Sequence, residues 1–172
     1  MRLVPAEDFE SAKAKYIEVI EGTPGIEQHA RWCYGKHPTD ERLRAHIANG
    51  ELYLLMDGEE ITGMVVIVPH QEQEYEAIAW ADSLANDQVA VLSLLAVCPA
   101  YQGRGLGREI LDHAEELAAG MGKKALRLDV LKSNLPAQHM YESAGFSYRG
   151  TQHLYAENTA WTDFLFYEKA LS

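Results

Sequence analysis

The segment Gln102-Gly103-Arg104-Gly105-Leu106-Gly107 constrains this chain more than any other. It follows an apolar run, Val89 to Val97, that reads as a strand. It opens a stretch of helical spacing, Arg104 to Ala119, in which Ile110, Leu111, Ala114, Leu117 and Ala118 share one face. Glycines at alternate positions let the backbone come close to a ligand and aim several N–H groups the same way, at a helix N-terminus carrying roughly +0.5 charge. Such a turn can cradle a pyrophosphate, with Arg104 adding charge-assisted hydrogen bonds to phosphate oxygens. Taken alone, the same glycines would equally serve a tight strand-to-helix turn with no ligand.

Two nucleotide-binding readings fail on spacing. A GxGxxG pattern from Gly103 needs Gly or Ala at position 108 and finds Arg108; from Gly105 it finds Ile110. Cys98-Pro99-Ala100-Tyr101-Gln102 also separates the strand from the first glycine, although a later strand containing Asp129 imitates a dinucleotide-binding unit. Gly122-Lys123 is followed by Lys124 and has Leu117 where a Walker A motif needs its leading Gly.

The rest of the chain supplies the surrounding elements. Phe9, Ala12, Tyr16, Val19 and Ile20 predict an amphipathic helix from Asp8 to Glu21, stopped by Gly22 and Pro24. Thr39 is the expected N-cap of a second helix with Leu43 and Ile47 on its apolar stripe, ended by Gly50. Glu51 to Met56 and Ile61 to Val68 predict an antiparallel pair joined through Asp57-Gly58. Leu126 to Val130 predicts a strand, Pro136 to Ala144 a short helix, and Phe146 to His153 with Trp161 to Glu168 a closing hairpin. Gln71 to Asp87 and Tyr155 to Thr159 are expected to be irregular. The class is α/β with a mixed sheet, in one domain spanning residues 1–172.

Charge narrows the partners. With 15 Lys and Arg against 26 Asp and Glu, the formal charge is −11, which argues against nucleic acid, whose affinity comes largely from clustered cations. It suits a cationic acceptor such as a polyamine, or serves solubility alone. The apolar runs are too short for a membrane-spanning helix of ~20 residues. The N-terminus turns acidic by Glu7 and lacks a signal-peptide core, so a cytoplasmic location is expected. Cys33 and Cys98 have no CxxC spacing and read as free thiols, and the histidines show no metal-ligand spacing, so no metal is expected.

The run Leu94-Leu95-Ala96-Val97-Cys98-Pro99-Ala100-Tyr101-Gln102-Gly103-Arg104-Gly105-Leu106-Gly107 resembles the coenzyme-binding motif of the GNAT superfamily of acyl-CoA-dependent N-acyltransferases. Leu126-Arg127-Leu128-Asp129-Val130, then Asn134, Ala137, Tyr141-Glu142 and Gly145-Phe146, is similar to that family's second signature; together the two cover residues 91–150. The resemblance implies a mostly antiparallel central sheet, flanked by helices, whose fourth and fifth strands splay apart around acetyl-CoA. The pantetheine arm would bond to backbone at Leu95, Ala96 and Val97. The pyrophosphate would sit on Gln102, Gly103, Arg104, Gly105, Leu106 and Gly107, and Asn134 would contact the coenzyme or serve only as a turn or cap.

The implied reaction is acetyl transfer to a primary amine of a small molecule or protein. The Leu95 amide would stabilise the oxyanion, and Tyr141 would act as general acid to the departing sulfur, unless it is only a core aromatic. The family often carries a Glu early in its fourth strand, where this chain has Val91 and Ser93. Glu76, Asp82, Asp87 and His70 either work as a base through water or are solvated surface groups, and no base is assigned. Trp32, Tyr34, Tyr75 and Trp80, in the region that the resemblance gives to the acceptor, either enclose an amine or pack the core and rim. A homodimer is allowed for, and a non-catalytic acyl-CoA sensor or interaction module is the alternative reading.

Overall fold

The computed structural model describes residues 1–172. Strand β1 (Arg2–Pro5) leads to helix α1 (Phe9–Gly22), which starts at Asp8, whose carboxylate accepts the Ser11 backbone N–H at 3.0 Å. Helix α2 (Asp40–Ala48) starts at Thr39, whose hydroxyl accepts the Arg42 N–H at 3.1 Å. Each cap satisfies a helix donor that would otherwise lack a partner. Strands β2 (Leu52–Asp57) and β3 (Glu60–Val68) turn at Gly58, which takes the positive φ of 59° that Asp-Gly favours. Strand β4 (Val89–Val97), helix α3 (Leu106–Gly120), strand β5 (Ala125–Leu131), helix α4 (Leu135–Ser143) and the hairpin β6 (Ser147–Ala156) and β7 (Ala160–Ala170) complete the chain.

These elements form one seven-stranded sheet in the order β1-β2-β3-β4-β5-β7-β6. Every neighbour is antiparallel except β4 with β5, which are parallel and joined through α3, since parallel neighbours need a crossover. The mixed, mostly antiparallel architecture is the one expected. Strand β1 was not anticipated: four residues ending in proline carry no readable alternation, and they are extended because they pair with β2 from Arg2 opposite Met56 to Pro5 opposite Tyr53. The irregular stretch 71–87 contains only short 3-10 turns.

Two apolar layers sandwich the sheet, as strand alternation requires. Ile110, Leu111, Ala114 and Ala118 of α3 pack on Leu126, Leu128 and Val130 of β5, with Tyr141 and Phe146 beside them. On the opposite face Ala12, Tyr16 and Val19 of α1 and Leu43 of α2 pack on Leu52, Met64, Val66, Leu94 and Ala96. Each large aliphatic side chain fully buried here contributes roughly 1.5–3 kcal/mol. No helix is long and apolar enough to cross a membrane, and Cys33 and Cys98 are both free thiols.

One irregularity opens the sheet. Met64 lies opposite Ala96 and Val66 opposite Ser93, so β4 carries one residue more than β3 in this interval. The bulge places Leu94 at φ 49°, and the Tyr16 hydroxyl, reaching in from α1, donates to its carbonyl at 2.7 Å. A bulge bends its strand and increases local twist. Strands β4 and β5 pair only from Val89 opposite Ala125 to Leu92 opposite Leu128, and beyond that point they part.

Candidate active site

The space between the parted strands is a cleft of about 650 Å³. Along its β4 wall, Cys98 N–H bonds to the Thr62 carbonyl of the neighbouring chain segment at 2.9 Å. By antiparallel alternation Ala96 faces β3, while Leu95 and Val97 turn their backbone groups toward the gap left by β5. The Val97 carbonyl is taken by the Gln102 side-chain amide at 3.0 Å, which also donates to the Thr23 hydroxyl at 2.9 Å. Gln102 therefore braces the turn against β4 and the end of α1, leaving its own side chain no free role toward a ligand.

The turn is built to leave donors open. Gly103 and Gly105 both sit at φ 77°, a conformation costly for any other residue, and a Cβ at either would meet nothing within 4 Å. Gly105 is the N-cap of α3 and provides no side-chain acceptor. None of the backbone N–H groups from Gly103 through Arg108 has an acceptor in the protein. Gly107 has a different reason to be glycine: a Cβ there would lie 2.6 Å from Met140 Sδ, so its absence lets α3 and α4 approach closely. Asn134 Oδ1 caps α4 through the Ala137 N–H at 3.3 Å, and its amide NH₂ is left free at the cleft wall.

Tyr141 projects from α4 into the middle of the cleft. Its ring packs against Phe146 and Tyr167, with centroids 5.9 and 6.5 Å away, but its hydroxyl has no protein partner. Burial, followed by the charge of Asp129, pushes the phenol well above its usual pKa, so it stays protonated at every physiological pH. Asp129 lines the same cleft, near enough for its charge to be felt at Tyr141. Along β5 the apolar residues Leu126, Leu128 and Val130 point to α3, so alternation turns Arg127 and Asp129 to the other face. The Asp129 carboxylate is reachable through the cleft but hemmed in by protein, and it accepts the buried Tyr75 hydroxyl at 2.5 Å. Loss of hydration raises its pKa; the Tyr75 hydrogen bond and the Arg42 charge oppose that rise, and Glu74 adds to it.

Trp32, His37 and Arg42 line the end of the cleft beyond Asp129. Trp32 packs edge-on to Tyr16, whose hydroxyl holds the bulge, and His37 packs edge-on to Trp32. Burial, then the charges of Arg42 and His46, push His37 down to about 4. A histidine kept neutral in the fold charges more readily when unfolded. Its contribution is therefore complete above the ordinary value of 6.5 and is lost as pH falls from there through about 4. At about 1.4 kcal/mol per pH unit, the part of that contribution lost between pH 7 and 4.5 is about 2–3 kcal/mol. Chemical denaturation between pH 7 and 4.5 should show His37→Gln losing less stability than the parent by about that amount; identical pH profiles would mean that His37 is already hydrated in the fold.

The sequence-predicted site residues gather closely. Leu95, Ala96, Val97, Gln102, Gly103, Gly105, Leu106, Gly107, Asn134 and Tyr141 all line the cleft. Arg104 does not: its guanidinium lies 5.3 Å from the Tyr101 ring, outside the wall. Arg108 lines the cleft but is engaged by Asp112 and by the Ser143 carbonyl. None of the base candidates Glu76, Asp82, Asp87 and His70 reaches the cleft, and Glu76 and Asp82 border a separate pocket beside Arg127. Asp129, missed as a site residue, was legible from the strand alternation. Of the four acceptor-side aromatics only Trp32 reaches the cleft. Tyr34 bonds to Asp40, Tyr75 bonds to Asp129, and Trp80 stacks on Arg127, which is buried in an ion pair with Glu168.

Comparison with known proteins agrees with this arrangement. Streptothricin acetyltransferase of Streptomyces lavendulae is 27% identical over 104 residues, 60% of this chain and 55% of that protein. The [ribosomal protein bS18]-alanine N-acetyltransferase of Escherichia coli is 43% identical over 58 residues, 34% of this chain and 39% of that protein. The chain thus spans about half the length of the curated relatives it matches, or less. A Salmonella typhimurium protein solved with its cofactor acetyl-CoA shares the fold with a TM-score of 0.68 at 18% identity, covering 100% of this chain and 94% of that one. The sequence profile of the Acetyltransferase (GNAT) family matches residues 23–146, nearly three-quarters of the sequence and both walls of the cleft, and the chain belongs to that family.

Proposed function

We propose that the protein is an N-acetyltransferase that moves an acetyl group from acetyl-CoA directly to a primary amine. The observation that carries this reading is the convergence on one cleft of an unpaired strand edge, a donor-lined turn, a protonated tyrosine and a carboxylate. The residues fit acetyl-CoA. Leu95 and Val97 offer strand-like backbone bonds to an amide-bearing arm, the N–H groups of Gly103 through Arg108 offer donors to a pyrophosphate, and the free Asn134 amide lies between them. A sensor that only bound coenzyme would have no use for a protonated Tyr141 and the Asp129 carboxylate in one cleft. The named relatives acetylate amine-bearing acceptors, which is in keeping with this assignment.

When bound, acetyl-CoA supplies the thioester: the amine nitrogen bonds to its carbonyl carbon as the C–S bond breaks, leaving an amide, the free thiol and one proton. Asp129 accepts the proton that a protonated amine must lose before it attacks. At pH 7 that loss costs about 4–5 kcal/mol for a lysine-like amine of pKa ~10.4, and a carboxylate whose pKa is raised takes the proton more readily. The Leu95 N–H faces the position where negative charge gathers on oxygen. Tyr141 donates its proton toward sulfur and regains one from the nitrogen or from water, so protons balance over the cycle.

Calorimetry with CoA tests the cradle. Gly105→Val should lower CoA affinity roughly 100-fold or more, because a β-branched residue is strained at φ 77° and would stand where the backbone must approach phosphate. Unchanged affinity in a folded variant would reject the pyrophosphate assignment. Release of CoA thiol from acetyl-CoA on addition of primary amines tests the activity itself.

A further inference from the structure

The acceptor end of the cleft is not acidic, despite the charge of the whole chain. Arg42 of α2 lines it and has no ion-pair partner, whereas Arg108, the other arginine lining the cleft, is engaged by Asp112. Its backbone N–H belongs to the Thr39 cap, so the side chain is fixed at the first turn of α2 while its guanidinium is left open. Arg42 is near enough for its charge to be felt at both Asp129 and His37. His37 beside it is neutral at pH 7 and offers a hydrogen bond without charge. Glu72 and Glu74, whose charge also reaches Asp129, stand outside the wall.

The segment bordering the same end is held in place. Ser133 Oγ donates to the His29 carbonyl at 2.9 Å, Arg31 donates to the Thr159 carbonyl at 3.2 Å, and the Asn158 amide donates to the Arg31 carbonyl at 3.0 Å. The segment between α1 and α2 is therefore strapped to the β5–α4 connection and to the β6–β7 turn. That segment carries Trp32 and His37, which line the cleft beside Arg42.

We propose that the acceptor is a small amine carrying its own carboxylate, an amino acid-like zwitterion whose ammonium end meets Asp129 and whose carboxylate meets Arg42. This rests on the acetyl-transfer reading above, and the reaction is the same: N–C bond formation, C–S cleavage and release of one proton. An unpaired guanidinium and a carboxylate lining one open cleft match a ligand with both charges, since the guanidinium fork is suited to a carboxylate. A polyamine would bring its second cation to Arg42 and be repelled, so the cationic acceptor suggested by net charge is disfavoured locally.

The test is thiol release from acetyl-CoA with matched acceptors: amino acids, their primary amides, the corresponding decarboxylated amines, a polyamine, and peptide amides with a free N-terminus. At least one amino acid should turn over, with kcat/KM about 10- to 100-fold above its matched amide, the range for losing a charge-assisted pair. Arg42→Gln should erase that difference through KM, with kcat within about 3-fold, and Arg42→Lys should restore part of it. Calorimetry of the same amino acid into CoA-saturated protein should show the same loss of affinity in Arg42→Gln, with CoA affinity unaltered. An amide, polyamine or peptide amide turned over as well as the best amino acid would overturn the substrate class and keep acetyl transfer. Full discrimination retained by a folded Arg42→Gln would overturn the role of Arg42. No thiol release with any amine, while CoA binds, would overturn acetyl transfer and the substrate class together.

Discussion

Tyr141→Phe should lower the turnover of acetyl transfer about 10²- to 10⁴-fold, the usual value of a positioned general acid, while leaving CoA affinity nearly unchanged. The ring is what packs: it meets Phe146 and Tyr167 and closes the α4 side of the core, and phenylalanine keeps all of that. The hydroxyl makes no bond within the protein, so its removal strands no buried partner and should cost little stability. Its effect is confined to the step in which negative charge collects on sulfur. Stopped-flow measurement of thiol release under single-turnover conditions, with calorimetry for CoA, separates the two. A Phe variant with wild-type single-turnover rate would make Tyr141 a packing residue.

Asp129→Asn should be comparably damaging, about 10²- to 10⁴-fold in kcat/KM, with a signature in pH that Tyr141→Phe lacks. The carboxyl's pKa is raised above its ordinary value of 3.8, and only the ionised form can accept a proton. Activity should therefore fall as pH drops through that raised pKa, and the acid limb should vanish in the Asn variant. Stability should change little, because Asn can still accept the Tyr75 hydroxyl, so the variant should melt near the parent's temperature. An unchanged acid limb in Asp129→Asn would place the base elsewhere.

The sequence carried the elements whose signals are local. Strand β4 runs from Val89 to Val97 as its apolar run predicts, Thr39 caps α2, and the alternate glycines between β4 and α3 do adopt left-handed conformations at positions 103 and 105. What it hid depends on partners distant in the chain. Strand β1 exists through β2, and the bulge at Leu94 through Tyr16, 78 residues away. The proposed base illustrates the difference in kind. The acidic residues of the 71–87 loop looked available because that loop precedes β4, but the loop folds toward Arg127 and Glu168 rather than over the cleft. Asp129 lay inside a signature already noted, and period-two alternation alone separates it from its apolar neighbours. Arg42 and His37 could not be placed by any local rule, because the strap between α1 and α2 is positioned by Ser133 and Thr159.

The bond between Tyr16 and the Leu94 carbonyl gives α1 mechanical leverage over the coenzyme edge. Tyr16 is fully buried, and the carbonyl it holds belongs to the one residue that makes β4 longer than β3. A displacement of α1 must drag that carbonyl with it or abandon a buried donor, at a cost of roughly 1–3 kcal/mol. Trp32 rests on the same tyrosine from the acceptor side. A guest that displaces Trp32 and Tyr16 with it therefore either carries the strand edge next to Leu95 along or breaks that bond.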